Sequence, residues 1–286
     1  MTRKVFKTAI IALFPFIWVS AQHEFSINVA GGFGALSYKV EDGAQQKGGF
    51  GGQFGLGYRY QINRQWGAVS GIGLSMLNAS FEAPSLNTSS TALDREEGNV
   101  SFVFSNALSI YDEKQAATLL QIPVMGQFLH TLKFPFGAFD CYANGGLKFG
   151  FPIGGQFSNS VGSIKNTVHY AEEDFTYETQ TFNGFGTFNN RSNNGDLNFK
   201  VAILFALEWG VKFKLNEELS LYAGAFFDMG LNNIHTIASA MNFVEFNETN
   251  PRDFSVNSII HSKYEGFTEK ISPIAFGVKV ALALEK

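Results

Sequence analysis

The chain has a single cysteine, Cys141, and few charged residues. Its 21 Lys and Arg and its 25 Asp and Glu make up 16% of the 286 residues, whereas globular chains average about 25%. One cysteine cannot form a disulfide within the chain, which excludes a disulfide-stapled scaffold. The formal net charge of −4, without any cluster of Lys and Arg, argues against a nucleic-acid surface, so we expect no nucleic-acid partner.

Long apolar runs are also missing beyond the N-terminus. No stretch of about 18 apolar residues follows Val19, so membrane-spanning helices are excluded. Aromatic residues are abundant instead, and the 31 Phe exclude an intrinsically disordered chain. The 30 Gly follow no collagen-like period. This composition indicates an aromatic, Gly-rich β fold.

The first residues are typical of an export signal. Arg3, Lys4 and Lys7 precede an uncharged apolar run at residues 9–19, which ends at small residues. A membrane anchor would need about 20 apolar residues, so this run is too short to span. We expect residues 1–21 to be a signal peptide that is cleaved between Ala21 and Gln22. Residues 22–286 then form one domain.

Apolar and small or polar residues alternate along much of that domain. The pattern is unbroken at residues 274–284 and again at residues 199–213, where eight large apolar side chains share one face. Strands of soluble proteins are usually about 5–6 residues long, so such a face needs a large core or lipid. Weaker alternation brings the number of predicted strands to eight, at residues 25–38, 50–60, 66–81, 119–128, 142–153 and 219–231.

The connections between these strands alternate between short and long. This arrangement is typical of a transmembrane, antiparallel, up-and-down β-barrel of the bacterial outer membrane, with short periplasmic turns and long extracellular loops. We therefore predict an all-β fold of this kind, embedded in outer-membrane lipid. A soluble periplasmic sandwich or a lipocalin-like barrel is the alternative. The short connections are residues 61–65, 130–141 and 214–218, and the long ones are residues 39–49, 82–118, 154–198 and 232–271.

Two sets of residues follow from the predicted barrel. Aromatic residues close to the short turns predict a girdle at the periplasmic membrane interface. Charged residues on the inward face predict a salt-bridged, plugged lumen, because an unpaired buried charge is costly and eight strands leave room only for side chains. The girdle comprises Tyr58, Tyr60, Trp66, Trp209 and Phe213, and the lumen charges are Arg59, Lys148, Lys200, Glu208, Lys212, Asp228 and Lys279.

Two segments carry a family resemblance. Residues 120–124, LQIPV, and residues 219–234, LSLYAGAFFDMGLNNI, resemble outer-membrane β-barrel proteins of Bacteroidetes. These are similar to OmpA/OmpX-type eight-stranded barrels and include the PorT-like group. The resemblance implies the barrel fold and its location, and it suggests a component of a secretion or assembly complex. The chain departs from such barrels at its end, Leu284-Glu285-Lys286, where they commonly have an aromatic residue.

The sequence offers little for catalysis, and we expect a non-enzymatic protein without a cofactor. His169, with Glu172, Glu173 and Asp174 nearby, is the one suggestive cluster, and we interpret it as a solvated acidic loop rather than a catalytic or metal site. We expect the long loops to bind a protein or glycan partner, or to join a larger membrane complex. A narrow channel for small solutes is the alternative. The loop surface predicted for binding comprises Tyr170, Phe175, Tyr177 and Phe182.

Overall fold

The fold was examined in a computed structural model that describes residues 23–40, 43–94, 100–134, 137–172, 174–236, 241–262 and 270–285. The predicted signal peptide and its cleavage site between Ala21 and Gln22 lie outside these residues. Within them, no helix is long and apolar enough to span a membrane. The strands are β1 (His23–Ser37), β2 (Gln45–Gln61), β3 (Trp66–Asp94), β4 (Val100–Phe134), β5 (Gly137–Tyr170), β6 (Phe175–Tyr177), β7 (Gly186–Asp196), β8 (Ala202–Lys214), β9 (Leu219–Gly230), β10 (Val244–Glu245), β11 (Ser255–Val256) and β12 (Ser272–Glu285), with 3-10 helices at Thr181–Asn183 and Pro251–Asp253.

Eight of these strands close into an antiparallel ring, which confirms the predicted barrel. The order around the ring is β1, β2, β3, β4, β5, β8, β9 and β12, and β12 pairs again with β1. Apart from the short strands β6, β7, β10 and β11, strands that follow one another along the chain therefore also pair with each other in the ring. The connections β2–β3, β4–β5 and β8–β9 lie at one end of the ring, and the other four, of which β5–β8 and β9–β12 are long, lie at the other. We call these the short-turn end and the long-loop end.

The outward face of the ring is apolar, as the alternation predicted. Val278 on β12 is 68% exposed, whereas Ala281 and Ala283, on the opposite face of the same strand, are buried. The inward face is built from small residues where strands crowd together. Gly57 and Gly71 are register partners, and a Cβ on Gly71 would lie only 2.3 Å from the carbonyl oxygen of Leu56. Glycine is thus required at this point of the narrow interior.

Three strands are much longer than the alternation predicted. β3, β4 and β5 contain 29, 35 and 34 residues, and β4 pairs with both of its neighbours almost to its beginning. The predicted long connections at residues 82–118 and 154–198 were therefore wrong as loops, because most of their residues belong to strands. With β6 and β7, which pair with the far part of β5, they form an extended sheet at the long-loop end.

A row of four residues crosses the extended sheet and shifts the inward and outward alternation of side chains by one residue. Pro84, Ile110, Gly162 and Asn190 lie opposite one another, and none of them forms a register pair. Ile110 and Asn190 have left-handed backbones, with φ of 57° and 52°. On β4 the buried residues have odd numbers from Tyr111 onward but even numbers before the row. The extended sheet can thereby keep its apolar side inward above the row.

Ile110 is strained in this conformation. A left-handed backbone costs an L-residue roughly 1–2 kcal/mol, and a β-branched side chain is especially unsuited to it. The Ile110 side chain is 64% exposed, so little packing compensates. We expect Ile110→Asn to raise the free energy of unfolding by about 0.5–1 kcal/mol, measured by urea denaturation of the refolded protein. The matched control is Val103→Asn, an exposed β-branched residue of the same strand, which should give no gain.

A segment between β9 and β12 covers the inner face of the extended sheet. We call residues 241–262 the cap segment. Phe243 packs edge-on against Tyr111, with ring centroids 5.3 Å apart, and Phe246 lies 5.3 Å from the rings of both Phe102 and Phe104. Val256 accepts a hydrogen bond from Asn159 Nδ2 at 2.9 Å. The cap segment and the sheet therefore share one apolar core at the long-loop end.

Candidate functional site

Two clusters of buried ions lie across the lumen of the ring. The first, near the short-turn end, joins Glu24 and Arg59 by a 2.9 Å pair and Glu24 and Lys212 by a 2.8 Å pair. Lys212 also pairs with Glu285 at 2.6 Å, and the Tyr222 hydroxyl donates to Glu24 at 3.0 Å. Two carboxylates and two cations balance each other. This cluster, the lower cluster, links β1, β2, β8 and β12.

The register explains why these residues meet. Glu24 is the direct partner of Arg59 across the β1–β2 ladder and of Glu285 across the β1–β12 ladder. Like charges directly opposite are destabilising in a sheet, so Glu24 and Glu285 need a cation between them. Lys212 occupies that place and contacts both carboxylates. The pairing of the two chain ends in the ring thus depends on a side chain from β8.

The second cluster, the upper cluster, lies farther along the lumen. Lys148 pairs with Asp228 at 2.9 Å and with Glu208 at 3.2 Å, and Lys279 pairs with Glu208 at 2.8 Å. Gln53 donates to Asp228 at 2.9 Å. Asp228 is completely buried, so its charge depends on these partners. The upper cluster also holds two carboxylates and two cations, and it links β2, β5, β8, β9 and β12.

Six of the seven predicted lumen charges belong to these clusters. The exception is Lys200, which is exposed and precedes the first residue of β8, so its assignment to the lumen was wrong. Two members, Glu24 and Glu285, were missed. Each lies one residue beyond the apolar positions Phe25 and Leu284, and extending the period of two by one residue would have placed both inward.

The clusters leave a small cavity within the lumen. Its volume is about 90 Å³, and Arg59, Gln121, Tyr142, Asn144 and Lys148 contribute to its lining. Arg59 Nε and Asn144 Oδ1 are buried there without a hydrogen-bond partner among the described residues. A space of this size holds a few water molecules, each with a liquid-state share of about 30 Å³, and the polar lining suits them.

The predicted girdle residues all face outward but lie at different depths. Trp66 is the first residue of β3, is 52% exposed, and packs against Phe128 with tilted rings whose centroids are 5.0 Å apart. Tyr60 and Phe213 likewise lie within one or two residues of a strand end. Trp209 lies near the middle of β8 and is 51% exposed, so it lies too deep in the apolar face for a ring at the interface. Tyr58, the last of the predicted girdle residues, lies three residues before the end of β2. Its hydroxyl oxygen lies 2.7 Å from His23 Nδ1.

The four loop aromatics divide into buried and exposed pairs. Tyr170 is buried and contacts Phe102, with ring centroids 5.5 Å apart, so its prediction as a binding-surface residue was wrong. Tyr177 is half-buried and packs edge-on against Tyr170 at 5.8 Å. Phe175 and Phe182 are 51% and 68% exposed. Only these last two present a large apolar surface to the outside.

This division predicts opposite mutational effects. Tyr170→Ala should lower the free energy of unfolding by about 2–4 kcal/mol, because it leaves a cavity beside Phe102 and Tyr177. Phe182→Ala should change it by less than about 0.5 kcal/mol, because an exposed side chain loses few contacts. Urea denaturation of the two variants side by side measures both. Equal effects would contradict the packing described for Tyr170.

Glu113 anchors the cap segment to the extended sheet. Its carboxylate is buried and accepts hydrogen bonds from Ser258 Oγ at 2.6 Å and from the Ile259 backbone N–H at 2.9 Å, both in the cap segment. Gln115 Nε2 donates at 2.8 Å, and the Tyr111 hydroxyl also donates. Outward neighbours at this level, such as Lys114, are exposed and polar, so Glu113 lies beyond the apolar belt.

Burial raises the pKa of Glu113 above its ordinary value, because desolvation of the carboxylate outweighs the hydrogen bonds that favour its charged form. Glu113 therefore binds its proton more tightly when the cap segment is docked than when the cap segment is released. Docking should be strongest below the ordinary pKa of about 4.5 and should weaken as the pH rises through the raised pKa. Tyr111, with its pKa raised by burial and by Glu113, remains neutral in this range.

A spin label can follow this dependence. A nitroxide at Thr249→Cys, in a Cys141→Ser background, should become more mobile as the pH increases from about 4.5. In the Glu113→Gln variant the mobility of the nitroxide should no longer depend on pH. Thr249 is exposed in the cap segment, so the label disturbs no core contact. Mobility that falls with increasing pH, or the same slope in Glu113→Gln, would contradict the assignment.

The suggestive histidine cluster has a simple local arrangement. His169 Nδ1 lies 3.1 Å from Thr176 Oγ1 across the short β5–β6 hairpin, in an exposed position. Glu173 lies outside the described residues. Across the described ranges, no group of three or more His, Cys, Asp and Glu side chains is placed to hold a metal ion.

Comparison with known proteins gives one family and several distant structures. Residues 20–236 match the family described as outer membrane protein beta-barrel domain. No curated protein sequence matches the chain. Structural similarity extends to the outer membrane protein OprG from Pseudomonas aeruginosa, with 11% identity, 93% of this chain and 95% of that chain covered, and a TM-score of 0.30. It extends also to the translocator domain of the autotransporter NalP from Neisseria meningitidis, with 7% identity, 93% and 88% covered, and a TM-score of 0.22.

Proposed function

Because the chain belongs to the outer membrane protein beta-barrel domain family, we propose that it is a non-enzymatic protein that binds a partner through its long-loop end. It is located in the Gram-negative outer membrane, and membrane lipid surrounds its apolar outward face. In the proposed orientation, the short turns are periplasmic and the extended sheet and cap segment are extracellular. The partner is a protein or a glycan outside the cell, or a larger membrane complex.

The observation that carries the proposal is the cap segment docked on the extended sheet. Three strands continue well beyond the apolar belt, and the segment between β9 and β12 packs against them in a shared apolar core. Such a folded extension is larger than closing a barrel requires. Loops on a rigid scaffold commonly carry binding sites. The two ion clusters support a closed lumen, since each is buried and electrically balanced.

A pull-down and a conductance measurement test this function together. We expect the detergent-extracted full chain to co-purify with a stoichiometric partner and to give no stable single-channel steps in planar bilayers. Phe182→Ala provides a surface variant that should keep the fold, since Phe182 is exposed. Large stable conductance together with the absence of a partner would overturn the proposal.

A narrow channel for small solutes is the second candidate. The favouring observation is the polar lumen cavity, where Arg59 Nε and Asn144 Oδ1 lack partners among the described residues. In that case the ion clusters would act as a filter, and Lys148→Met should change the ion selectivity of the recorded current. A partner role predicts no current to change.

We also propose, on the resemblance of residues 219–234, that the chain belongs to the PorT-like group of Bacteroidetes barrels and serves in a secretion or assembly complex. This narrower role depends on the same long-loop end. It predicts that deletion of the gene impairs export of cargo proteins, measured by their amounts at the cell surface. Unchanged export with a retained partner would favour a structural role instead.

A further inference from the structure

The far part of β3 presents an edge without a strand partner. β2 pairs with β3 only as far as Gln45 and Glu82. Beyond Pro84, residues 85–94 pair with β4 on one side, and among the described residues no strand or hydrogen bond occupies their other side. Pro84 lacks a backbone N–H, so it suits the point where pairing with β2 stops.

The strand on the opposite side of the same sheet contacts the cap segment through its side chains. On β7, Asn193 Nδ2 donates to the Val256 carbonyl at 3.0 Å, and Arg191 donates to the Arg252 carbonyl at 3.3 Å. The Arg191 guanidinium also lies 5.0 Å from the ring centroid of Phe254. These contacts join β7 side chains to the cap segment, and β10 of the cap segment also lies close to β3.

The free edge also lacks the devices that usually block strand addition. Natural edges are protected by Lys and other charges, by bulges, or by short length. Between Glu82 and Asp94 the sequence has no charged residue, and Ser, Thr and Asn account for six of the ten positions 85–94. These ten residues in register with β4 span about 34 Å. Alternate residues of such an edge offer both an N–H and a carbonyl to a new strand.

A second copy of the chain cannot fill this edge. Both copies would stand upright at the same height in one membrane, so the axis relating them is the membrane normal. Rotation about that axis leaves the direction of β3 unchanged, and antiparallel pairing needs the reverse direction. In the parallel arrangement each N–H would face the same N–H of the other copy, so the two strands could not form hydrogen bonds. A second copy in the same membrane is therefore excluded as the occupant of this edge.

We propose that residues 85–94 of β3 bind an extended, uncharged segment of a partner protein, which adds to the sheet as an antiparallel strand. Such strand addition draws affinity from backbone hydrogen bonds and specificity from alternate side chains. The inward positions beside the new strand are Leu86, Thr88, Ser90 and Ala92, so small or apolar residues fit there. The inference deepens the proposed function, on which it rests, by naming the surface and the form of the partner.

Hydrogen exchange on the full chain in lipid nanodiscs tests the edge itself. Alternate amides within residues 85–94 should exchange at least tenfold faster than their neighbours, because only every second N–H points toward β4. The probe is a synthetic peptide with the sequence of residues 100–110, extended by lysines, since β4 already pairs with these β3 residues in register. It should protect the fast amides, and the same peptide with alternate N-methylated amides should not. Uniform protection of the free chain, or no protection by the probe, would overturn the proposal.

Two adjacent proline variants give a matched control. Because N–H directions alternate, one of Ser89→Pro and Ser90→Pro removes an N–H from the free edge, and the other removes one from the β4 ladder. The variant that keeps the heat-modifiable gel shift of the folded barrel should bind the probe at least tenfold more weakly. If both folded variants bind it like the original chain, the edge is not the site. A cellular partner that both variants retain overturns the edge but leaves the proposed function standing.

Discussion

Lys148→Met is expected to lower the free energy of unfolding of the barrel by about 3–5 kcal/mol, the range for a buried ion pair that loses one partner. The Lys148 ammonium contacts Asp228 at 2.9 Å and Glu208 at 3.2 Å. Without it, the fully buried Asp228 keeps the Gln53 amide as its one hydrogen-bond partner within the described part of the chain. Glu208 is affected less, since it keeps Lys279 at 2.8 Å.

The second substitution in this test is Asp228→Asn. The double variant Lys148→Met/Asp228→Asn removes both charges and leaves Glu208 paired with Lys279, so more than half of the lost free energy should return. Lys200→Met, at an exposed lysine of the same chain, should change it by less than about 0.5 kcal/mol. Urea titration of the heat-modifiable gel shift measures all three variants. A loss below about 1 kcal/mol in Lys148→Met would mean that the upper cluster does not stabilise the lumen.

Glu113→Leu is expected to release the cap segment from the extended sheet. The substitution leaves the Ser258 hydroxyl and the Ile259 N–H without their acceptor. Each unsatisfied buried donor costs about 1–3 kcal/mol, so the loss of both should shift the docking equilibrium by about 30-fold or more. Leucine has a similar size and creates no large cavity, so the effect reports the lost hydrogen bonds. The barrel itself should remain folded, because Glu113 lies outside both ion clusters.

Limited proteolysis measures this release. Cleavage within residues 241–262 should become much faster in Glu113→Leu than in the original chain. The cleavage rate of Glu113→Gln should lie between these two, because its amide keeps one acceptor oxygen. Glu178→Leu is the matched control, since Glu178 makes an exposed pair with Lys165 at 3.0 Å and exposed pairs contribute little. Cleavage at the original rate in Glu113→Leu would show that apolar packing alone holds the cap segment.

The ring of eight strands could be predicted from local pattern, whereas the extended sheet could not. A period of two is visible wherever lipid demands an apolar face, as at residues 274–284. Beyond the apolar belt that demand ends, and outward positions such as Asn87, Ser89 and Ser158 become polar. The row at Ile110 also shifts the phase, so no single alternation runs along the whole of β4. The lengths of β3, β4 and β5 depend on pairing between distant segments, which the sequence pattern does not display.

The candidate site was predictable in type but not in all its members. Parity along a strand identifies an inward charge such as Glu208, yet it fails where the strand has not begun, as at Lys200. Which charges meet depends on the register between strands distant in sequence. Glu24 and Glu285, for example, both contact Lys212 because they are register partners across β1 and β12. Glu113 could not be identified as an anchor from sequence, because its partners Ser258 and Ile259 lie 145 and 146 residues away.

The row of Pro84, Ile110, Gly162 and Asn190 couples the lengths of its strands. A deletion of one residue on one side of the row would reverse every side chain between it and the next turn in that strand alone. The neighbouring strands would keep their alternation. In the shortened strand, apolar residues would then face water and polar residues would face the core. Changes in the height of the extended sheet are therefore tolerated in pairs of residues, or in all crossing strands at once. The row therefore sets one common phase for all strands of the extended sheet.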